Sequence, residues 1–343
     1  MQLVKLARNA MATRFEIVLH GEHPAPLRAA GEEALDEIER LEAQLSLFKP
    51  ASEIARLNSR AAHEAVRVTP TLFALLERAK TISEETSGAF DITIAPLMWC
   101  WGLMQREGKI PSPKELADAR SKTGMRLVHL NRADSTVRFE REGVMLDLGA
   151  IGKGYAIERA AELLREAGVT SALLHGGTST VCAIGHPPDA EFWKVAIERP
   201  NQGASQSVKP LTRPSDTLSP SDGERDGVRG RPALLAAVPL KDESLSVSAV
   251  WGKSFEAGGK TFGHVIDPRT GQPVSKALLA AVVLPLATET DALSTALLTL
   301  GADGHEKVFS LRNGMRTLLM TPADDGVHVE ARGINVAAEV TRL

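Results

Sequence analysis

The stretch that most limits how this chain can fold runs from Met145 to Gly177, MLDLGAIGKGYAIERAAELLREAGVTSALLHGG. The apolar run from Val144 to Leu148 reads as a short strand. It ends in Gly149-Ala150-Ile151-Gly152-Lys153-Gly154, a glycine-bearing turn that feeds a helix. Helical spacing sets Ala156, Ala160, Leu163, Leu164 and Ala167 on one face, and Gly168 suits the left-handed position that closes a helix. A second buried strand, Ser171 to Leu174, then meets Gly176-Gly177. The predicted unit is strand, glycine turn, helix, strand.

Backbone N–H groups in such a turn can approach an anion at the helix start, with Lys153 beside them as a point charge. The same glycines also suit a tight strand-to-helix connection that binds nothing, and the turn alone leaves both readings open. It is not a Walker loop, because four residues do not separate the first glycine from the Gly-Lys pair and no Ser or Thr follows Lys153. Nor is it a dinucleotide fingerprint, since Ile157 stands where the third small residue should be.

Length and charge narrow the partners. At 343 residues the chain can bury a sizeable core, in one large domain or two ordinary ones. A net charge of −3 offers no basic footprint for nucleic acid and no polybasic patch for a membrane surface. Two cysteines, Cys100 and Cys182, support neither a disulfide framework nor a cysteine zinc site. No stretch is long enough to span a membrane. The N-terminus lacks a secretory core and goes quickly into alternation at Phe15, Ile17 and Leu19, which points to the cytoplasm, or to the periplasm if this is a trimmed form.

Pro24 and Pro26 read as a turn before an amphipathic helix carrying Ala34, Ile38, Leu41 and Leu45. Thr69 and Pro70 predict the start of a second helix, with Leu72, Leu75, Leu76, Ala79 and Ile82 inward. Strands are expected at Val181–Ile184, Phe192–Ile197, Leu234–Leu240, Leu245–Trp251, Val282–Leu284 and Thr317–Met320, with Thr261–Gly271 as strand and turn. A hairpin turn is expected at Gly258-Gly259. Residues 201–232 hold almost no large apolar side chain and predict a mobile insertion.

Three places stand out chemically. Asp91 lies inside an apolar run, GAFDITIAPLMWCWG, next to tryptophans in a chain with only 4% aromatic residues. Asp291 and Thr295 are oxygen donors one helical turn apart, a spacing that suits a magnesium ion shared with substrate phosphates, while Asp291 also reads as the N-cap of its helix. His264 stands at strand spacing before Asp267-Pro268, either as a structural histidine or as one that faces a cleft and titrates near neutrality.

The segments GAFDITIAPLMWCWG, LDLGAIGKGYAIE, LLHGG, HVIDPRTGQPV and TDALSTALLTLG occur in this order between Gly88 and Gly301, within a resemblance that begins near Met11 and continues, apart from the insertion after Asn201, to about Gly301. The set resembles the ApbE-type flavin transferases, the FAD:protein FMN transferase family. The resemblance implies an α+β fold related to the T-fold, with helices packed on largely antiparallel sheets, a single domain over 1–343, and an FAD cleft between two halves. It implies magnesium-assisted transfer of the FMN half of FAD to a Thr or Ser hydroxyl of a target protein, with AMP leaving. Carried over by motif, magnesium would be held by the Ala150 carbonyl, Asp291 and Thr295. FAD would be held by Met11, Asp91, Lys153, Gly176, Gly177, Ser248 and His264, and His264 and Asp267 would line the reaction centre. Two rival readings use the same residues: an FAD pyrophosphatase that gives FMN and AMP, and a non-catalytic FAD-binding protein. Three positions depart from the family pattern: Ala249-Val250-Trp251 replaces a small polar run, Thr178 follows the glycine pair where Asp or Asn is usual, and Glu158 stands where Asp is common.

Overall fold

Val4, Leu6 and Ala10 on β1 (Gln2–Ala10) and Phe15, Ile17 and Leu19 on β2 (Thr13–Gly21) are buried at every second position, so each strand turns one face to a core. β1 extends the order that the sequence shows only from Phe15 onward. The computed structural model describes residues 1–105, 107–198, 234–251, 254–257, 260–324 and 326–337. The expected insertion at 201–232 and the expected turn at Gly258-Gly259 lie outside the described residues.

Chain order continues through α1 (Pro24–Leu45), α2 (Glu53–Arg60), β3 (Val66–Arg67), α3 (Pro70–Glu85), α4 (Ala95–Cys100), α5 (Pro113–Ser121), β4 (Val128–Asn131) and β5 (Thr136–Phe139). Next come α6 (Gly152–Glu166), β6 (Ala172–Gly176), β7 (Thr180–Ile184), β8 (Trp193–Glu198), β9 (Leu234–Leu240) and β10 (Ser244–Ala249). The remaining elements are β11 (Ser254–Ala257), β12 (Lys260–Gly263), β13 (Leu279–Leu284), α7 (Ala287–Leu300), α8 (Ala302–Phe309), β14 (Arg316–Ala323) and β15 (Gly326–Arg332). Eight strands form one antiparallel sheet in the order β1-β2-β6-β7-β10-β13-β14-β15. Smaller sheets pair β8 with β9, β11 with β12, and β3-β5-β4. The protein is α+β, with helices packed on largely antiparallel sheets.

The large sheet is covered on both faces. Leu174, Cys182, Ala280 and Val282 face the helix layer of α1, α6 and α7, while Leu173, Val181, Leu245, Ala281 and Val283 face the β8–β9 ribbon and its buried Trp193. β6, β7 and β13 are therefore buried at every position. Double coverage gives such strands continuous apolar runs rather than alternation.

Local rules account for much of this. Ser52 and Thr69 accept hydrogen bonds from Ala55 N and Leu72 N as N-caps, with Pro70 at the first position of α3. Pro24 and Pro26 do not form a turn but lie in the first turn of α1, where the missing N–H costs nothing. The inward face of α6 is Ala156, Ile157, Ala160, Ala161 and Leu164, and Ala167 is exposed, because the sheet meets the helix on a face rotated from the one expected.

The opening unit also differs from its expected form. Val144 to Leu148 is extended but is not a strand of any sheet. Its backbone is satisfied by the side-chain amide of Asn58, which donates to Leu146 O at 3.0 Å and accepts from Leu146 N at 2.7 Å, and by Asp147 N donating to Ile92 O at 2.7 Å. A side chain has taken the place of a neighbouring strand.

Buried polar groups are paired with few exceptions. One is His175 on β6, 4% exposed, whose Nε2 meets no hydrogen-bond partner among the described residues. Burial lowers its pKa to about 4. The unfolded chain binds the proton near pH 6.5, so stability present above that value is lost as pH falls toward 4. Urea unfolding should show the wild type losing about 1 kcal/mol more than His175→Gln between pH 7.5 and 5.5. Equal losses in the two proteins would show that His175 does not set this dependence.

Candidate active site at the junction of α6 and α7

The turn before α6 is built from its own backbone. Ile151 N and Gly152 N both donate to Leu148 O, at 3.1 and 2.7 Å, and Gly149 N donates to Asp147 Oδ1 at 2.8 Å. Lys153 Nζ folds back onto Gly149 O at 3.2 Å, so the cation lies over the turn.

Gly154 is the point at which α6 meets α7. Its N–H donates to Asp291 Oδ2 at 2.9 Å, and a Cβ at this position would strike the carbonyl oxygen of Ala287 and lie 2.7 Å from Asp291 Cβ. Close helix approach, not a positive φ, is what requires glycine here. Asp291 is not an N-cap. α7 begins four residues earlier at Ala287 and has no side-chain cap of its own. Its N-terminus is served from α6, where Glu158 Oε2 accepts from Thr288 N at 2.9 Å while Oε1 accepts from Arg78 at 3.0 Å. Glu289 and Arg312 continue the array, and Arg312 grips Glu85 of α3 with two bonds of 3.0 and 2.8 Å. These carboxylates suit the positive end of the helix dipole. Glu158, a departure from the family pattern, thus joins α3, α6 and α7.

Asp291 is 4% exposed, and its carboxylate has the Gly154 N–H and no ion pair among the described residues. A buried anion with so little compensation is costly. One turn later Thr295 Oγ1 lies 3.2 Å from Ser248 Oγ and 3.2 Å from Asp291 O, and Ser294 Oγ lies 2.9 Å from the same Ser248 hydroxyl. The set is carboxylate and hydroxyl oxygen beside the backbone of the 149–154 turn that contains Ala150. Such donors suit a hard cation, and magnesium needs few of them when phosphate and water complete its octahedron. Among the described residues no cluster of three His, Cys, Asp or Glu side chains could hold a metal without such help.

Met11 and the glycine pair sit at the same end of the sheet. Met11 and Ala12 both have positive φ, 49° and 57°, in the turn between β1 and β2. Such a conformation costs a non-glycine residue about 1–2 kcal/mol. Gly177 N donates to Arg14 O at 3.0 Å, Gly176 pairs with Phe15, and a Cβ on Gly177, which has φ 64°, would collide with Thr13 Oγ1. Val247 N donates to Ser179 O at 2.7 Å, which brings the end of β10, and with it Ser248, beside this turn.

His264 and Asp267 follow β12, in a segment held by an aromatic cluster on the α4–α5 side. Trp101 Nε1 donates to Gly271 O at 2.7 Å, and its ring lies 5.6 Å from Phe262 and 6.2 Å from Phe255. Asp267 is engaged by Arg269, Oδ2 to Nη2 at 2.8 Å and Oδ1 to both the Arg269 backbone N and Nε at 2.9 Å. The pair shapes the turn after His264. Gly263 abuts Val250, where a Cβ would lie 2.9 Å from Val250 O, so the half-buried His264 follows directly on a contact with the end of β10. Val250, in the Ala249-Val250-Trp251 run, makes that contact.

Asp91 is placed differently. At 8% exposure, its carboxylate accepts from Thr93 N at 2.8 Å, Thr93 Oγ1 at 2.6 Å, Met125 N at 2.9 Å and Ser83 Oγ at 3.4 Å. Burial raises its pKa against the opposing pull of these donors. The side chain organises the loop whose Ile92 carbonyl supports the 144–148 segment. A depression of about 700 Å³ lined by His186, Asp189 and Lys241 lies beyond the opposite end of β7 and shares none of these residues.

The ApbE family model matches residues 11–319. A Treponema pallidum protein named FAD:protein FMN transferase is 30% identical over 304 residues, covering 86% of this chain and 78% of its own length. A Haemophilus influenzae protein of the same name is 26% identical over 335 residues, covering 95% and 88%. Among solved structures, the ApbE protein of Thermotoga maritima superposes with a TM-score of 0.80 at 24% identity, covering 97% of each chain. The apo flavinyl transferase ApbE of Pseudomonas stutzeri superposes with a TM-score of 0.77 at 25% identity, covering 97% of this chain and 95% of its own.

The α6–α7 contact predicts a sharp difference between two neighbouring glycines. Gly154→Ala should lower stability by about 1–3 kcal/mol through overpacking. Gly152→Ala should be neutral or mildly stabilising, because its Cβ would meet only Leu148 Cβ, at 3.8 Å. Chemical denaturation of the two variants measures both, and equal effects would contradict this account.

Proposed function

The chain belongs to the ApbE family, and on that footing we propose that it transfers the FMN half of FAD to a Thr or Ser hydroxyl of a target protein, with AMP leaving and magnesium assisting. The observation that carries this reading is the buried Asp291 carboxylate, joined to the glycine turn through Gly154 N and set one helical turn from Thr295. Asp291, Thr295 and the Ala150 carbonyl would hold the metal, which supplies Lewis-acid neutralisation of the pyrophosphate when bound.

The chain's own groups have separate tasks. Lys153, folded over the turn, offsets phosphate charge there. The Met11 turn and Gly176-Gly177 present backbone at the end of the sheet, where FAD would lie in the cleft between the turn-bearing half and the C-terminal half. Ser248 lines the same end, and Asp91 contributes through the loop it ties down. The acceptor oxygen forms a bond to the FMN phosphorus, the bond from that phosphorus to the AMP oxygen breaks, and the hydroxyl proton passes to the His264 imidazole. Asp267, paired with Arg269, holds the turn that fixes His264. Positioning and charge neutralisation dominate such a transfer, and no protein nucleophile is needed.

Incubation with FAD, magnesium and a flavinylation-competent target should increase the target's mass by FMN. Asp291→Ala should slow this by more than about 100-fold, and His264→Ala by about 100-fold or more. AMP release without any mass gain would point instead to a pyrophosphatase. Intact FAD recovered after long incubation would point to a binding protein, and no mass gain across several targets would overturn the transferase reading.

A further inference from the structure

β10 carries a serine at every second position, and all three turn toward the α7 side of the sheet, while Leu245 and Val247 turn the other way into the core beneath β8 and β9. Ser244 Oγ donates to Pro285 O at 3.2 Å, and Ser246 Oγ meets Thr290 Oγ1 at 2.8 Å. Ser248 meets Ser294 and Thr295 together. A strand–helix seam of this kind is expected to be apolar, and here it is hydroxyl against hydroxyl.

The protons at the Ser248 end can be assigned, since each hydroxyl has one to give. Ser294 Oγ donates to Asp291 O at 3.0 Å. The contact of 2.9 Å between Ser248 and Ser294 therefore needs the Ser248 proton. Ser248 has then nothing left to donate, so its contact of 3.2 Å with Thr295 needs the Thr295 proton. Asp291 O already accepts along the helix, and Ser294 is nearer to it than Thr295, which lies at 3.2 Å. The chain runs from Thr295 to Ser248, to Ser294, to Asp291 O. Thr295 is a donor throughout and keeps its lone pairs.

We infer that Ser294, acting through Ser248, is a positioning residue that engages the hydroxyl proton of Thr295 and so keeps both Thr295 lone pairs open toward the divalent cation of the site. The inference rests on the metal site proposed above. Ser294 is fully buried behind the half-buried Ser248 and Thr295, and it touches neither substrate nor cation. Without the Ser294 oxygen, Ser248 can turn its proton to Thr295, where it takes one of the two lone pairs and leaves that oxygen a poorer donor to the cation. Ser294→Thr keeps the acceptor.

The test is a magnesium titration of the full protein with FAD bound, read by calorimetry, with thermal unfolding measured in parallel. Ser294→Ala should weaken magnesium binding roughly 3- to 10-fold, the worth of one hydrogen bond. Ser294→Thr should bind magnesium as the wild type does. FAD affinity without magnesium should be unchanged in both. A change in melting temperature with wild-type magnesium affinity in Ser294→Ala would mean a purely structural role and would overturn the inference. Asp291→Ala separates this from the broader reading. If that variant also binds magnesium normally, or the wild type binds none, the metal site itself fails, and the inference with it.

Discussion

One hydrogen bond organises the centre of this protein: the N–H of Gly154 to the carboxylate of Asp291. It forms only because position 154 has no side chain, which lets α6 approach α7 until backbone meets carboxylate. Asp291 is buried by the same approach. The charge is held in a place of low dielectric, where a single dipole compensates it poorly and a cation would compensate it well. The charged array of Arg78, Glu158, Glu289, Arg312 and Glu85 fixes the two helices and α3 around it. Packing, helix-end electrostatics and the candidate chemistry meet in one contact.

The large sheet extends this arrangement outward. Because helices cover one face and the β8–β9 ribbon the other, its middle strands have no freedom to slip, since a one-residue shift would exchange two full sets of buried side chains. The strand ends are therefore fixed. Met11, Gly177 and Ser248 are brought to one end of the sheet by pairings of β1 with β2, β2 with β6, and β7 with β10. The segment carrying His264 and Asp267 reaches the same end from outside the sheet, clamped by Trp101 and the two phenylalanines.

Helices were the most legible part of the sequence. Periodicity and caps placed α1, α3 and α6, because an amphipathic helix writes its buried face at a fixed spacing. Strands buried on both faces also showed, as apolar runs at β7 and β13. Val144–Leu148 misled for a definite reason: an apolar extended segment looks the same whether a strand or an asparagine amide satisfies its backbone. Asp291 misled in the same way. Its identity as a polar residue at an apolar boundary suggested a cap, whereas the helix is started by Glu158, a residue far away in the chain.

Taken alone, the sequence determined the buried faces of α1 and α3, the α+β class and, through five motifs in order, the family. It also named Asp291 and Thr295 as neighbours, since their spacing follows from helix geometry. Only the tertiary structure decided what surrounds them. That Gly154 is a helix contact, that Asp91 is wholly engaged by internal donors, and that the alternating serines of β10 face Ser294 and Thr295 depend on strand order and helix approach. Local spacing records which face a residue is on, and long-range packing decides what it meets there.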